Sequence, residues 1–266
     1  LLATLPIEPP TIELKPPVAS LRLEGVTVAA PGTQKVIIAN ASLELRAGQA
    51  LGVIGPSAAG KSTLARAAVG VWPLMRGSVR LDGAALDQWS AEQIGRHIGY
   101  LPQSVELFEG TISENIARFE TRPDEQAIIA AAEVAGCHGM IVKIQDGYGA
   151  RIGAGGVMLS AGQRQRIGLA RALYRSPFLV VLDEPNSNLD QEGETALVAA
   201  IQKVRQRGGI VVLVAHRPSV LAACDMAAFV TNGQIAAFGP RDEVLKKVLR
   251  PQQPKPPNGP HDREPR

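Results

Sequence analysis

The sequence predicts an α/β fold in which a parallel sheet carries an antiparallel β layer and a helical insert. Residues 21–50 and 78–81 alternate apolar and polar side chains, as half-buried antiparallel strands do. Residues 178–182 and 210–215 are continuously apolar, which is typical of parallel strands covered on both faces. Residues 111–142 have apolar positions at helical spacing, which predicts the insert.

Helices are expected where apolar periodicity follows the buried strands. The pattern predicts helices over residues 63–71, 191–206 and 218–224. After the helical segment that ends near residue 142, no strand is expected before Val157.

Composition excludes several classes of protein. Hydrophobic residues make up 45% of the 266 residues and charged residues 20%, which is ordinary for a globular protein. The net charge of +3 gives no indication of a nucleic-acid partner. Cys137 and Cys224 are far apart, so two small buried residues in a reducing compartment are expected. No apolar run approaches the roughly 18–20 residues that span a bilayer.

Both ends of the chain differ from the middle. Residues 1–20 are rich in proline without a clear period, which indicates an extended linker. Residues 250–266 are rich in proline and charge, and we expect a disordered tail there. The domain is therefore expected to span residues 21–249, with a helical subdomain at about 104–174. Because the sequence begins with Leu1 rather than Met, we expect a processed chain or a fragment of a longer chain.

A phosphate-binding loop follows the apolar strand near residue 52. The segment LGVIGPSAAGKST places the spacing G-x4-G-K-S between a strand and a helix. Glycine allows a close approach, and backbone N–H groups at the helix N-terminus cradle phosphate oxygens. Lys61 is expected to reach the terminal phosphates, and the Ser62 hydroxyl to coordinate Mg²⁺. The predicted nucleotide-binding residues are Gly55, Pro56, Ser57, Ala58, Ala59, Gly60, Lys61, Ser62 and Thr63.

Two acids end the later apolar strand FLVVLDEP. Asp183 is expected at the carboxyl end of this strand, close to the Mg²⁺ that Ser62 binds. Glu184 is expected to face the γ-phosphate and to orient or deprotonate the attacking water. Alone, the pair is equally consistent with solvated acids at a strand end; with the phosphate-binding loop, metal and base roles are favoured.

The segment LSAGQRQRIGLARALY, residues 159–174, has the pattern of a capped amphipathic helix. Ser160 fits the N-cap and Gln163 completes a capping box. The segment also resembles the signature sequence of the ATP-binding cassette (ABC) family, usually LSGGQ, with Ala161 at the first glycine position. The resemblance implies that Ser160, Ala161, Gly162 and Gln163 contact nucleotide.

Three further segments resemble ABC motifs and occur in the family's order. Gln103 in GYLPQ matches the Q-loop glutamine, which contacts metal and water. Asp190 in SNLD matches the acid of the D-loop at the nucleotide site, and His216 in VAHRP matches the switch histidine that contacts the γ-phosphate. The resemblance covers about residues 21–247. It implies a P-loop NTPase (RecA-like) core with an antiparallel β subdomain and an α-helical signature subdomain.

Other segments are similar to exporters, and more narrowly to the permease/ATPase subunits of bacterial type I protein-secretion systems. They are LFEGTISENI and DGYGARIGAGG for exporters, and GVWP, RHIGYLPQ, DEPNSNLD and AFGPRDEVL for type I secretion. The resemblance implies an N-terminal transmembrane domain in the parent chain, a periplasmic adaptor and an outer-membrane channel. It places the domain at the cytoplasmic face of the bacterial inner membrane.

Two positions depart from the family pattern. Ala30 lies where many exporters carry an aromatic residue that stacks on adenine, and no aromatic residue precedes Trp72. Val36 or Ile38 is expected to offer partial contact with the base. Ala154 replaces the glutamate that exporters usually carry in the loop that touches the membrane domain.

The expected activity is ATP hydrolysis that drives export. Two copies are expected to pair head to tail when ATP and Mg²⁺ are bound, with the signature of one chain closing the P-loop site of the other. The alternative is the ATPase subunit of another ABC transporter, either a lipid or peptide exporter or an importer. A chromosome-organising ATPase is excluded, because only about a hundred residues separate the two motifs and they lack sustained heptads.

Overall fold

The computed structural model describes residues 14–153, 155–215 and 217–249. The predicted linker and tail lie largely outside this part of the chain. The strands are β1 Ser20–Ala29, β2 Val36–Arg46, β3 Ala50–Ile54, β4 Arg76–Leu81, β5 Ala84–Ala85, β6 Ile98–Leu101, β7 Gly110–Thr111, β8 Arg151–Ile152, β9 Leu179–Asp183, β10 Ile210–Val214, β11 Met226–Thr231 and β12 Gln234–Pro240.

Helices connect these strands and cover the central sheet. They are α1 Lys61–Ala68, α2 Ala91–His97, α3 Ile112–Ile116, α4 Glu125–Val134, α5 His138–Ile141, α6 Ala161–Leu173, α7 Gln191–Gln206, α8 Pro218–Leu221 and α9 Arg241–Leu249. No helix in the described ranges is both long and apolar enough to cross a membrane.

The central sheet is parallel apart from one edge strand. Its order is β12-β11-β3-β10-β9-β6, and only the β11–β12 pair is antiparallel. Every residue of β9 and β10 is buried, which is why these strands are continuously apolar up to Asp183. The predicted parallel core is confirmed.

A second, antiparallel sheet has the order β2-β1-β4-β5. Leu21, Leu23 and Leu43 alternate with exposed or half-buried residues and pack into one core with β3 and α1. The chain enters this sheet at a fixed point, because the Asp82 carboxylate accepts hydrogen bonds from the amides of residues 18–20, at 2.7, 3.0 and 2.6 Å for the shortest bond of each. The predicted antiparallel layer is confirmed, and it begins at Ser20.

The helical insert contains a two-stranded ladder that the sequence did not predict. β7 pairs antiparallel with β8 through Gly110↔Ile152 and Thr111↔Arg151. The expectation of no strand before Val157 is therefore wrong. A two-residue strand has no room for an alternating pattern, so its pairing depends on helices α3–α6 bringing distant residues together.

The helix predictions hold most closely for α7, whose bounds equal the predicted 191–206. The other two helices are shorter than predicted: α1 ends at Ala68 and α8 at Leu221. The chain leaves α1 at a turn that contains Gly70, whose φ is 74°. After α8 it turns into β11, which begins at Met226.

Both cysteines are free and buried, as expected. Burial raises the pKa of each thiol to about 12. The thiolate, which is the reactive form, is therefore scarce at neutral pH.

The contact between β6 and α6 requires a glycine. A Cβ on Gly99 would lie 1.9 Å from the Ala172 carbonyl oxygen. Replacing Gly99 by Ala should reduce the free energy of unfolding by about 1–3 kcal/mol, because the strand and helix must separate. Urea denaturation measures this change.

The matched control is Gly95→Ala in α2, where an added Cβ has no neighbour within 4 Å. It should raise the free energy of unfolding by about 0.5–1 kcal/mol through helix propensity. Equal effects of the two substitutions would contradict the close-packing argument.

Candidate functional site

The loop between β3 and α1 depends on glycine at both ends. Gly55 has φ 149°, and a Cβ there would lie 2.0 Å from the Val230 carbonyl oxygen. Gly60 is the N-cap of α1 with φ 102°, so it offers the helix no side-chain cap. The first turn of α1 also contains no acidic residue. The amides at this helix end are therefore suited to an anion.

Lys61 is the first residue of α1, directly after the loop, and is only 6% exposed. Its Nζ donates to the carbonyl oxygens of Gly55 and Pro56, at 3.0 and 2.8 Å. Burial lowers the pKa of the ammonium, while the charges of Glu184 and Asp183 act in the opposite direction. These two bonds connect the start of the loop to the buried ammonium at its end.

Ser62 and Asp183 meet across the sheet edge. The Ser62 hydroxyl donates to Asp183 Oδ1 at 2.8 Å. Asp183 is fully buried, and its Oδ2 has no hydrogen-bond partner within the described part of the chain. Burial raises the pKa of this carboxyl, and the Ser62 bond partly offsets that effect. A buried oxygen without a partner is costly, and a hard cation is a fitting ligand for it.

Glu184 follows the strand in a left-handed backbone conformation, with φ 48°. Its amide donates to the Val214 carbonyl oxygen at 2.9 Å, which extends the β9–β10 ladder by one residue. Its Oε2 accepts from Gln103 Nε2 at 3.0 Å. A non-glycine residue in this region of φ/ψ space costs about 1–3 kcal/mol and occurs often at functional sites.

One set of predicted residues is therefore assembled at the carboxyl edge of the parallel sheet. Gln103 follows β6, the acids end β9, and the phosphate-binding loop follows β3. His216 lies outside the described residues, between Ala215 and Arg217. The residues joined by the contacts above are Gly55, Pro56, Lys61, Ser62, Gln103, Asp183 and Glu184.

The predicted signature residues begin α6. Ser160 is the N-cap: its Oγ accepts from the Gln163 amide at 3.2 Å, and the Gln163 side chain accepts from the Ser160 amide at 2.8 Å. The predicted capping box is thus confirmed. Ala161 is exposed in the first turn, and a Cβ on Gly162 would lie 2.8 Å from the Asn188 carbonyl oxygen. Gly162 therefore allows the D-loop segment to pack against the helix start.

Asp190 is the N-cap of α7. Its Oδ1 accepts from the Gly193 amide at 2.8 Å and from Arg166 Nη2 at 2.5 Å. These bonds tie the D-loop to α6 in the same chain. Gln165, which is buried, adds a second tie by donating to the Pro185 carbonyl oxygen at 3.0 Å. Sequence reasoning missed Arg166 and Gln165. Both lie in α6, about one turn after the capping box.

The residues expected near the adenine base differ in how exposed they are to solvent. Ala30 begins a turn in which its amide donates to the Lys35 carbonyl oxygen at 3.1 Å. Val36 is 46% exposed at the start of β2. Ile38 is fully buried against Gly60, so of the two alternatives only Val36 is accessible to a base. The strand β2 begins with four consecutive apolar residues, so its sequence does not reveal which face the phosphate-binding loop covers.

Comparison with known proteins agrees with this arrangement. The family model described as ABC transporter matches residues 38–187. The chain is 56% identical over 253 residues to the type I secretion system ATP-binding protein PrsD of Rhizobium meliloti, covering 95% of this chain and 44% of that protein. It is 36% identical to the leukotoxin translocation ATP-binding protein LktB of a Pasteurella haemolytica-like species, covering 79% of this chain and 30% of that protein.

A solved structure of a bacterial Atm1-family ABC exporter with ATP bound superposes with a TM-score of 0.80 at 28% identity. The alignment covers 90% of this chain and 42% of the exporter chain. This chain therefore spans less than half the length of these relatives. The chain belongs to the ABC transporter family, as an ATPase domain of that family.

Proposed function

We propose that this domain is the ATP-hydrolysing motor of a type I secretion exporter. The observation that carries the proposal is the contact set around Lys61, in which Ser62 bonds to Asp183 and Gln103 bonds to Glu184. The likeness to PrsD and LktB, both named for secretion or translocation, supports export of a protein. We infer that residues 21–249 form the motor and that residues 1–20 link it to a transmembrane domain.

Nucleotide phosphates bind where the loop amides and the α1 N-terminus converge. The Lys61 ammonium exchanges its two carbonyl acceptors for oxygens of the β- and γ-phosphates. This exchange suits a buried ammonium, because a phosphate provides the full negative charge that a carbonyl oxygen lacks. The residues from Gly55 to Thr63 provide this cradle.

Ser62, Asp183 and Gln103 would hold Mg²⁺. The fit rests on Asp183 Oδ2, a buried oxygen without a hydrogen-bond partner in the described ranges, beside a serine hydroxyl at 2.8 Å from Oδ1. Oxygen ligands of this kind suit Mg²⁺, which keeps several waters and few carboxylates. When bound, the ion neutralises charge on the phosphate oxygens.

Glu184 accepts a proton from the attacking water or aligns it with the γ-phosphate. Its carboxylate is already oriented by the Gln103 amide and by the left-handed turn after β9. His216 contacts the γ-phosphate and stabilises the developing charge. In-line attack then releases phosphate.

A second copy completes the site. Ser160, Ala161, Gly162 and Gln163 of the partner lie against the γ-phosphate, where the positive end of the α6 dipole is favourable. Asp190 lies beside the same interface in each chain. Hydrolysis separates the two copies, and the attached transmembrane helices rearrange. In this context the domain lies at the cytoplasmic face of the inner membrane and works with a periplasmic adaptor and an outer-membrane channel.

Hydrolysis should depend on Glu184 and Lys61 in different ways. Glu184→Gln should bind ATP normally but lose turnover by about 10²-fold or more, since it lacks the base. Lys61→Ala should weaken ATP binding as well, because it removes the phosphate contact. Steady-state ATPase assays with ATP titrations measure both, and near wild-type turnover in Glu184→Gln would contradict the general-base role.

The isolated domain should be monomeric without nucleotide and dimeric when ATP persists. Glu184→Gln with ATP and Mg²⁺ should accumulate dimer, because ATP bridges the two loop-lined faces. Light scattering measures the mass. The control is Glu184→Gln combined with Lys61→Ala, which should stay monomeric. A stable dimer in nucleotide-free buffer would contradict the role of ATP as the bridge.

Adenine should contribute little to affinity, because Ala30 offers no ring and Ile38 is buried. Ala30→Tyr should tighten ATP binding by a few-fold, since an aromatic stack adds about 0.5–1.5 kcal/mol. The unmodified chain should discriminate poorly between ATP and GTP. Titrations of both nucleotides into both proteins measure this. Equal ATP affinities, or a strong preference for ATP in the unmodified chain, would show that the base is held in another way.

A further inference from the structure

A carboxylate on α7 holds the segment that follows His216. Glu194 Oε2 accepts from Arg217 Nη1 at 2.8 Å, and Glu194 Oε1 accepts a short hydrogen bond from Ser219 Oγ. The Glu194 side chain is only 17% exposed, whereas that of Arg217 is 52% exposed. Each carboxylate oxygen thus has its own donor, and the two donors are two residues apart on another element.

These contacts lie next to the predicted switch histidine along the chain. Arg217 is the residue immediately after His216, and Ser219 lies in the first turn of α8. On the other side of His216, Ala215 is fully buried after the end of β10. The described residues on both sides of position 216 are therefore held, Ala215 by burial and Arg217 by its bond to Glu194.

The same helix also begins at the D-loop. Asp190 caps α7, and Glu194 is one helical turn further on, with its amide donating to the Asp190 carbonyl oxygen at 2.9 Å. Asp190 in turn pairs with Arg166 of the signature helix. One turn of α7 thus joins the signature helix, the D-loop and the switch segment. The Ser219 and Arg217 bonds lower the pKa of Glu194, so its charge persists at neutral pH.

We propose that Glu194 is a positioning residue for His216, holding the switch segment through Arg217 and Ser219 so that the histidine meets the γ-phosphate. The proposal rests on the proposed function of His216. An ion pair that is one-sixth to one-half exposed adds little to global stability, so its main effect is on the local geometry of this segment. Hydrolysis is sensitive to such geometry, because small misplacements of a catalytic group reduce turnover strongly.

The test compares Glu194→Gln with Glu125→Gln, which changes an exposed glutamate in the first turn of α4. Glu194→Gln should lower kcat by about tenfold, with KM for ATP changed less than about twofold, because the phosphate-binding loop is untouched. Glu125→Gln should leave both unchanged. Melting temperatures of the two variants should stay close to that of the parent, which separates positioning from unfolding.

Two sets of combined substitutions test whether Glu194 acts through Arg217 and Ser219 and, through them, on His216. Arg217→Gln combined with Ser219→Ala should reproduce the loss in kcat, and adding Glu194→Gln to that pair should cost little more. In a His216→Ala background, Glu194→Gln should have no further effect, since residues that act as one unit are non-additive. These measurements use steady-state and single-turnover hydrolysis by the same domain.

The outcomes are distinguishable. If His216→Ala keeps full turnover, the proposed role of the histidine is wrong and the positioning role is wrong with it. If His216→Ala loses turnover but Glu194→Gln does not, only the positioning role is overturned. A loss in Glu194→Gln that adds fully to that of His216→Ala, or that accompanies a large fall in melting temperature, also overturns it.

Discussion

The site depends on the parallel register of three strands, β3, β10 and β9. Val53 pairs with Val214, and Val214 pairs with Asp183. The three strands therefore end at the same level, and their three following loops emerge side by side. The loop after β3 is the proposed phosphate-binding loop. The acidic pair lies at the end of β9, and the proposed switch segment follows β10. A shift of one residue in the β9–β10 pairing would turn the Asp183 side chain to the other face of the sheet.

This register brings opposite charges into a poorly solvated place. The ammonium of Lys61 and the carboxylate of Asp183 are both buried, and burial shifts the pKa of each towards its neutral form. Buried charges are costly unless they are paired. The loop carbonyls and the Ser62 hydroxyl pair them only partly, so a phosphate with its cation offers each a stronger partner. The same groups that reduce stability thus favour the ligand.

Much of this arrangement could be predicted because it follows from local sequence. The G-x4-G-K-S spacing, the buried strand that ends in Asp183 and the α7 bounds at residues 191–206 each depend on residues close together in the chain. The β7–β8 ladder could not be predicted, because two-residue strands carry no periodicity. The burial of Ile38 depends on how the loop after β3 packs against β2, and its own segment gives no sign of this.

The ion pairs that join different elements could not be predicted from the sequence either. Arg166 meets Asp190 across 24 positions, and Glu194 meets Arg217 across 23. Charged residues on helices usually face solvent, so their types alone do not indicate a partner. Only the packing of α6 and α7 against the sheet edge brings these side chains within bonding distance.

We propose that each chain holds half of an ATP site and that α6 of a second copy supplies the rest. Ala161→Glu tests it most directly, because a carboxylate in the first turn favours the helix but repels a γ-phosphate. Two quantities are measured: the steady-state rate of ATP turnover and the affinity with which the monomer binds ATP. We expect turnover to fall by about tenfold or more with monomer affinity unchanged, since Lys61 and Ser62 are intact. Unchanged turnover would contradict the account.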